Sequence, residues 1–524
     1  MINRMKWRTI VCCVLMSMGC ALHTMAQKWA ERMTSGVNYH VEMQASLSEG
    51  NTPLWLNANR YGLSSLQSAN GYLMVGVERP VQADSARKWA WGYGADVAVA
   101  HHYTSAVVVQ QCYATLRWLK GEVTVGSKEY PMELKNQQLS SGGQTFGINA
   151  RPVPQVRIAL PDYWAVPLLG DWVHIKGFVA YGMFTDQRWQ HEFTNKEDKY
   201  VDGALYHAKA GYLKIGKEDG KHPLSVELGI EMACVFGGTS YLKDADGTMK
   251  KIENSSGLRD FWNAFIPSGG EQVETTYRNA EGNQLGSWLI RVNYDAPSWK
   301  LGVYADKYFE DHSSMFQLDY NGYGTGNEWN VKKDHRYFLY DFRDIMLGAE
   351  LQLKHGTWLK NVVMEYVYSK YQSGPVYHDH TPSLQDHISG RDEFYNHYIY
   401  TGWQHWGQVM GNPLYRSPIY NTNGEINVQN NRMKAVHVGL AGAVNSQLSY
   451  RLLGSWQEGF GTYKKPYPQP RYNRSVMVEA DYRFASRSMR GWGVRVAWGL
   501  DSGQLIGHHC GAQITVWKNG ILSK

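Results

Sequence analysis

Trp403, Trp406, Tyr415 and Arg416 stand in one short stretch of the chain, and Arg60, Arg151 and Arg157 occur in two others. Aromatic faces stack on the C–H surfaces of sugars, and guanidinium forks donate paired hydrogen bonds to carboxylates and hydroxyls. These seven residues form the candidate polysaccharide-binding set. The same tryptophans would serve equally as packing inside a plug or as an interfacial girdle, and the arginines as partners of buried acids. Tyr377-His378-Asp379-His380 with Asp386 and His387 offers the donors a zinc ion uses, but without further spacing logic it reads as a solvated loop. Asp244-Ala245-Asp246-Gly247 carries its glycine at the fourth position of a would-be calcium loop rather than the sixth, and reads as a turn. No GxSxG occurs, nor a Ser/His pair in a recognisable motif. No catalytic residue, metal or cofactor is therefore assigned.

The elements that must position these residues announce themselves by strict alternation. Leu224, Val226, Leu228, Ile230, Met232 and Cys234 share one parity, and Ser225, Glu227, Gly229 and Glu231 the other. The pattern returns around Ile345–Leu353 and around Val476–Phe484. A period of two describes strands with one dry and one wet face. Aromatics bracket the dry faces, as in Trp288…Tyr294, Trp358…Tyr366, Tyr450…Trp456 and Trp492…Trp498, and Tyr (35) and Trp (20) outnumber Phe (14). Rings at both ends of an aliphatic band are the girdles of a membrane barrel. Tight turns at Asp295-Ala296-Pro297, His355-Gly356, Asn445-Ser446-Gln447 and Ser486–Arg490 alternate with long stretches at Phe309–Arg336, Tyr371–His397 and Gly461–Asn473. Short periplasmic turns and long outer loops are the barrel rule.

The sequence thus predicts an all-β, transmembrane antiparallel β-barrel of about 18 strands (16–18), too wide to be filled by its own strand side chains. The wet parity places Glu227, Glu231, Arg291, Lys300, Asp306, Glu350, Lys354, Arg451, Glu479, Asp481, Arg483 and Arg495 in the lumen. Their mixed signs predict a lumen knitted by ion pairs and plugged. Residues 1–26 read as a signal peptide, with Arg4, Lys6 and Arg8 before a short apolar core and Thr24-Met25-Ala26 at the cleavage site. Residues 27–524 then form a single barrel domain in the outer membrane of a Gram-negative cell. Beyond the leader no apolar run is long enough for a spanning helix, and the mean hydropathy of −0.46 argues against a helical membrane protein. Taking the leader's three basic residues from the chain's +6 leaves +3, too mild to suggest nucleic acid. Cys112, Cys234 and Cys510, scattered on apolar parities, read as small lipid-facing hydrophobes.

From Leu139 to Trp164 the alternation breaks, and Pro152, Pro154 and Pro161 make a poor central strand. This segment reads either as a preorganised polar surface for hydroxyl-rich or anionic ligands, or as a plug or strand crossover. LSSGG…NARPVPQVRIALPDYW and the following Gly170–Gly177, with Tyr400–Leu414 (YTGWQHWGQVMGNPL) and Pro53–Gly62 (PLWLNANRYG), closely resemble the capsule-assembly Wzi family in its Bacteroidetes-type form. The resemblance implies a plugged outer-membrane barrel, non-enzymatic, acting as a surface lectin that helps attach capsular polysaccharide. The implied partners are capsular or other surface polysaccharide, outer-membrane lipid and lipopolysaccharide, and polysaccharide export machinery. Two features depart from the family: little room between Gln27 and the first strand near Gly36 for the periplasmic helices of the enterobacterial branch, and no terminal aromatic at Lys524, for which Trp517 would substitute. The alternative readings are a porin or polysaccharide export channel, and an outer-membrane enzyme.

Overall fold

The fold comes from a computed structural model, which describes residues 34–522 apart from 85–87, 218, 245, 267–281, 311–320, 337–342, 378–381 and 384–387. The leader and the His378–His380 cluster lie outside the described residues. Eighteen strands pair antiparallel, each with its sequence neighbour in the wall. The first six are β1 (Asn38–Glu49), β2 (Ala69–Arg79), β3 (Trp89–His101), β4 (Val107–Trp118), β5 (Gly121–Ser127) and β6 (Gln155–Ala165). Then follow β7 (Val173–Met183), β8 (Leu205–Ile215), β9 (Leu224–Phe236), β10 (Asn283–Asp295), β11 (Trp299–Glu310) and β12 (Ile345–Leu353). The last six are β13 (Asn361–Tyr368), β14 (Met433–Ala443), β15 (Leu448–Gly461), β16 (Pro466–Arg483), β17 (Trp492–Gly503) and β18 (His509–Ile521). β1 closes on β18 in unbroken register from Asn38↔Ile521 to Glu49↔Cys510, so no edge is left.

The wall is turned inside out relative to a soluble protein. Met43, Leu47, Val99, Ile158, Val303, Met364 and Ile514 are exposed on the outside, while the main buried cluster, from Trp55 to Ala497, lies within the barrel. Water does not tolerate so wide an apolar belt, whereas lipid does. Rings cap the belt at the short-turn end: exposed Trp89 lies 5.8 Å from exposed Trp118, and exposed Tyr294 lies 5.5 Å from half-buried Trp299. Among the described residues no helix is long and apolar enough to cross a membrane, a finding that does not bear on strands.

Three local expectations are corrected. Gly461–Asn473 is not a long loop, because β16 begins at Pro466 and leaves only residues 462–465 as the turn. Its prolines are tolerated because β17 pairs with β16 only from Asn473 onward, so residues 466–472 owe no ladder amide on that side. The segment Gln155–Ala165 is a true wall strand; its irregularity is confined to a register shift between Leu160 and Trp164, around Pro161. Finally, Cys112 and Cys510 sit with the outward parity, but Cys234 is fully buried. A short helix, Leu258–Phe265, packs Ala264 against Cys234 and Phe236 on the outer face of β9. Its other side, Leu258, Trp262 and Ile266, is exposed at four-residue spacing. Gly247 N donates to Asp244 O at 2.9 Å and Asp246 Oδ1 accepts from the Thr248 amide at 2.9 Å, bonds of a turn.

Candidate functional site

The three sequence segments singled out above meet in the lumen. Residues 50–68 enter between β1 and β2, residues 128–154 between β5 and β6, and residues 392–432 before β14. They are bonded to one another through backbone and amides. Tyr61 N donates to Ile148 O (2.7 Å), and Gly147 N to Met410 O (2.8 Å). Asn149 Nδ2 donates to Val409 O (3.0 Å), Asn412 Nδ2 to Ser141 Oγ (3.0 Å), and Asn59 Nδ2 to Ser141 O (3.0 Å). The glycines of these segments are needed for contact. A Cβ on Gly147 would lie 2.5 Å from Gly411 O, and one on Gly62, whose φ is +71°, would lie 2.5 Å from Arg151 N.

Lumen acids of the wall hold this plug. Glu365 accepts from the Ser141 amide (2.7 Å), the Ser140 hydroxyl (2.6 Å) and the Tyr304 phenol (2.5 Å). Asp306 pairs with Lys135 of the plug at 2.7 Å, both side chains nearly inaccessible. Glu479 sits between Arg60 (3.2 Å) and Arg451 (3.0 Å), Arg291 meets Glu350 (2.9 Å), and Arg495 meets Asp481 (3.2 Å). Ion pairs thus knit the lumen as predicted, while Glu227 and Glu231 accept from the Tyr163 (2.8 Å) and Tyr212 (2.7 Å) phenols and two residues lie elsewhere. Lys354 lies past the end of β12, in a short turn where it pairs with Asp295, and Arg483 is mostly exposed at the end of β16.

The candidate binding residues fare differently from one another. Trp403 is fully buried, its indole N–H donating to Thr145 O at 2.8 Å and its ring stacked 6.0 Å from Tyr206. Tyr415 is buried 4.3 Å from Tyr395. Neither presents a face to a polymer; both are plug core. Arg416 spends its fork on Gln429 Oε1 and Tyr420 O, each at 2.8 Å, and Arg60 is held by Glu479. The structure does bring Arg151 and Trp406 together, the guanidinium carbon 4.2 Å from the indole centroid. Arg151 also donates to Thr104 Oγ1 (3.2 Å), and Trp406 Nε1 to Thr185 Oγ1 (3.4 Å), both at the long-loop end. Below this pair a cavity of about 470 Å³ follows the β4–β8 wall down to the short turn at Leu119 and Lys120, and Arg157 lines it. Tyr130 and Phe178, which enclose Arg157, were not anticipated; the inward parity of Phe178 on β7 was the available signal.

Among the plug groups with shifted proton affinities, Arg151 and Glu129 line the cavity. Burial lowers Arg151 to about 10, opposed by the Asp186 carboxylate. Burial pushes Glu129 up to about 7, against a hydrogen bond from Gln110 and reinforced by Asp96 and Glu42. A carboxyl whose folded pKa is raised stabilises the fold while protonated and loses that contribution as pH rises toward and through about 7. The guanidinium unfolding midpoint should therefore fall between pH 5 and 8 through this group, and Glu129→Gln should flatten the slope. Equal slopes for both proteins would remove Glu129 from the account.

No protein-family model matches the chain, and no curated protein matches it. Among solved structures, Wzi of Escherichia coli, an outer membrane protein involved in group 1 capsule assembly and a carbohydrate-binding β-barrel, is similar with a TM-score of 0.56 and 12% identity. The match covers 96% of this chain and 88% of that one. OprD of Pseudomonas aeruginosa matches at TM-score 0.43 and 9% identity over 93% of this chain and 96% of its own. OccK3 of the same organism matches at 0.44 and 11% over 94% and 98%. The last two scores are too low to carry an argument. At such identities the likeness to Wzi establishes the architecture alone: a closed 18-stranded β-barrel of the outer-membrane type.

Proposed function

We propose that this protein binds capsular or other surface polysaccharide at the outer membrane and helps assemble or attach it there, without catalysing a reaction. The observation that carries this reading is the lumen. Three segments distant in sequence fill it by bonding to each other, and above them Arg151 lies on the half-buried ring of Trp406 near the outer rim. A solute pore has no use for so much ordered polar packing in its path, whereas a rigid platform for a repeating polymer does. The fold likeness to Wzi, which is carbohydrate-binding and involved in capsule assembly, supports the same reading. Lipopolysaccharide and outer-membrane lipid would surround the wall, and polysaccharide export machinery would deliver the polymer. The second reading, a porin or export channel, is favoured by the cavity that reaches the short-turn end.

An attachment protein acts after synthesis and export. A deletion strain is therefore expected to keep total polysaccharide near normal while moving it from the cell surface into the medium. Replacing Arg151 and Trp406 together with alanine should reproduce the shedding at an unchanged amount of folded protein in the membrane. Polymer accumulating inside the deletion strain, with none outside, would instead identify an export channel.

A further inference from the structure

Arg157 projects from β6 into the cavity and is flanked by two rings, its guanidinium carbon 3.8 Å from the Tyr130 centroid and 3.5 Å from that of Phe178. Among the described residues no carboxylate or hydrogen-bond acceptor meets this guanidinium, and its Nε is buried without a partner. Three further orphaned polar atoms belong to residues lining the same cavity, Tyr130 Oη, Arg151 Nε and Gln155 Oε1. Native interiors leave few such atoms, because an unsatisfied buried polar group gives up its hydration with no partner in return. Here the orphans of one small space are two cationic donors, one amide acceptor and one phenol, surrounded by aromatic faces.

We propose that this cavity binds a single carboxylate-bearing sugar, a uronic acid unit, with its carboxylate on the free edge of Arg157 and its hydroxyls among the polar lining at Gln155 and Tyr130. The inference rests on the polysaccharide reading above and specifies its chemistry: the polymer, or the unit sampled from the short-turn side, is acidic. Clamping Arg157 between two rings leaves its donor edge as the face available to a ligand, the planar geometry that carboxylates match in bidentate fashion. Acids line the space too, Glu122 beside Lys128 (3.8 Å) and Glu133 held by Lys176, so a singly charged ligand adds less repulsion than a phosphate dianion. The volume of about 470 Å³ is within the range of small-ligand sites.

The test is titration calorimetry on the purified full-length protein in detergent with D-glucuronate, D-glucose and inorganic phosphate. Glucuronate should bind saturably and about tenfold or more tighter than glucose or phosphate, and Arg157→Gln should remove that advantage. Arg157→Lys keeps the charge but loses the fork, and should retain only part of it. Glucuronate binding no better than glucose, or unchanged in Arg157→Gln, overturns the site. Phosphate binding as tightly as glucuronate overturns the sugar assignment in favour of a plain anion site. If Arg157→Gln does not reach the heat-modifiable folded form, the wild-type ligand ranking and Arg157→Lys decide. Shedding in the deletion strain is read on cells and on polymer, so the platform can stand while this cavity fails, and the reverse.

Discussion

Removing residues 139–150 is expected to turn a barrel that holds a closed baseline in planar bilayers into one that conducts in steady steps. The effect should be large because that segment is the hub of the plug. Gln144 O accepts from the Tyr395 phenol, Thr145 O from Trp403 Nε1 (2.8 Å), and Gly147 donates to Met410 O (2.8 Å). Residues 392–432 lose these bonds and should loosen around Trp403 and Met410, while Glu310, Asp186 and Ser369 still hold them elsewhere. The wall should survive, since its ladders are continuous from β1 to β18 and do not depend on the plug. An 18-stranded wall emptied of its plug leaves an aqueous lumen. Heat-modifiable mobility of the variant on gels checks that the wall has formed before conductance is read. Large steady conductance from the intact protein would favour the porin reading and count against the platform.

Asp306→Leu is expected to destabilise the protein by about 3–5 kcal/mol, the usual cost of breaking a buried ion pair and leaving one charge behind. Asp306 Oδ2 accepts from both Lys135 Nζ (2.7 Å) and the Gln144 amide (3.0 Å), so its loss strands an ammonium that the surrounding side chains exclude from water. The double variant Lys135→Met with Asp306→Leu should recover most of the loss, because well-packed apolar replacements often match or exceed a buried pair. Guanidinium unfolding followed by loss of heat-modifiable mobility measures both. A double variant as unstable as the single one would show that the Gln144 amide bond, and not the stranded charge, carries the cost. The same single variant should flicker open in bilayers, since Lys135 and Gln144 both belong to the plug.

The wall was legible in the sequence because membrane strands are written locally. Alternation at Leu224–Phe236 and Ile345–Leu353 assigns each side chain to lipid or lumen by a two-residue period, with no knowledge of neighbours required. Turn lengths then ordered the strands, and the mixed charge of the wet face foretold the pairs of Glu479 and Glu350. What the period could not reveal was anything decided across the lumen. An aromatic that stacks on a sugar and one that fills a plug have the same chemistry; only the packing of Trp403 against Thr145 and Tyr206 assigns it to the plug, while Trp406, three residues on, keeps an accessible face beside Arg151. The outward Cys234 was hidden by a helix from a later loop, and the prolines of 466–470 fitted a strand because their free side has no partner. Arg157 was visible as an arginine, but its isolation between Tyr130 and Phe178 joins residues of β6, β7 and the plug, a juxtaposition that exists only once the barrel has closed around its own loops.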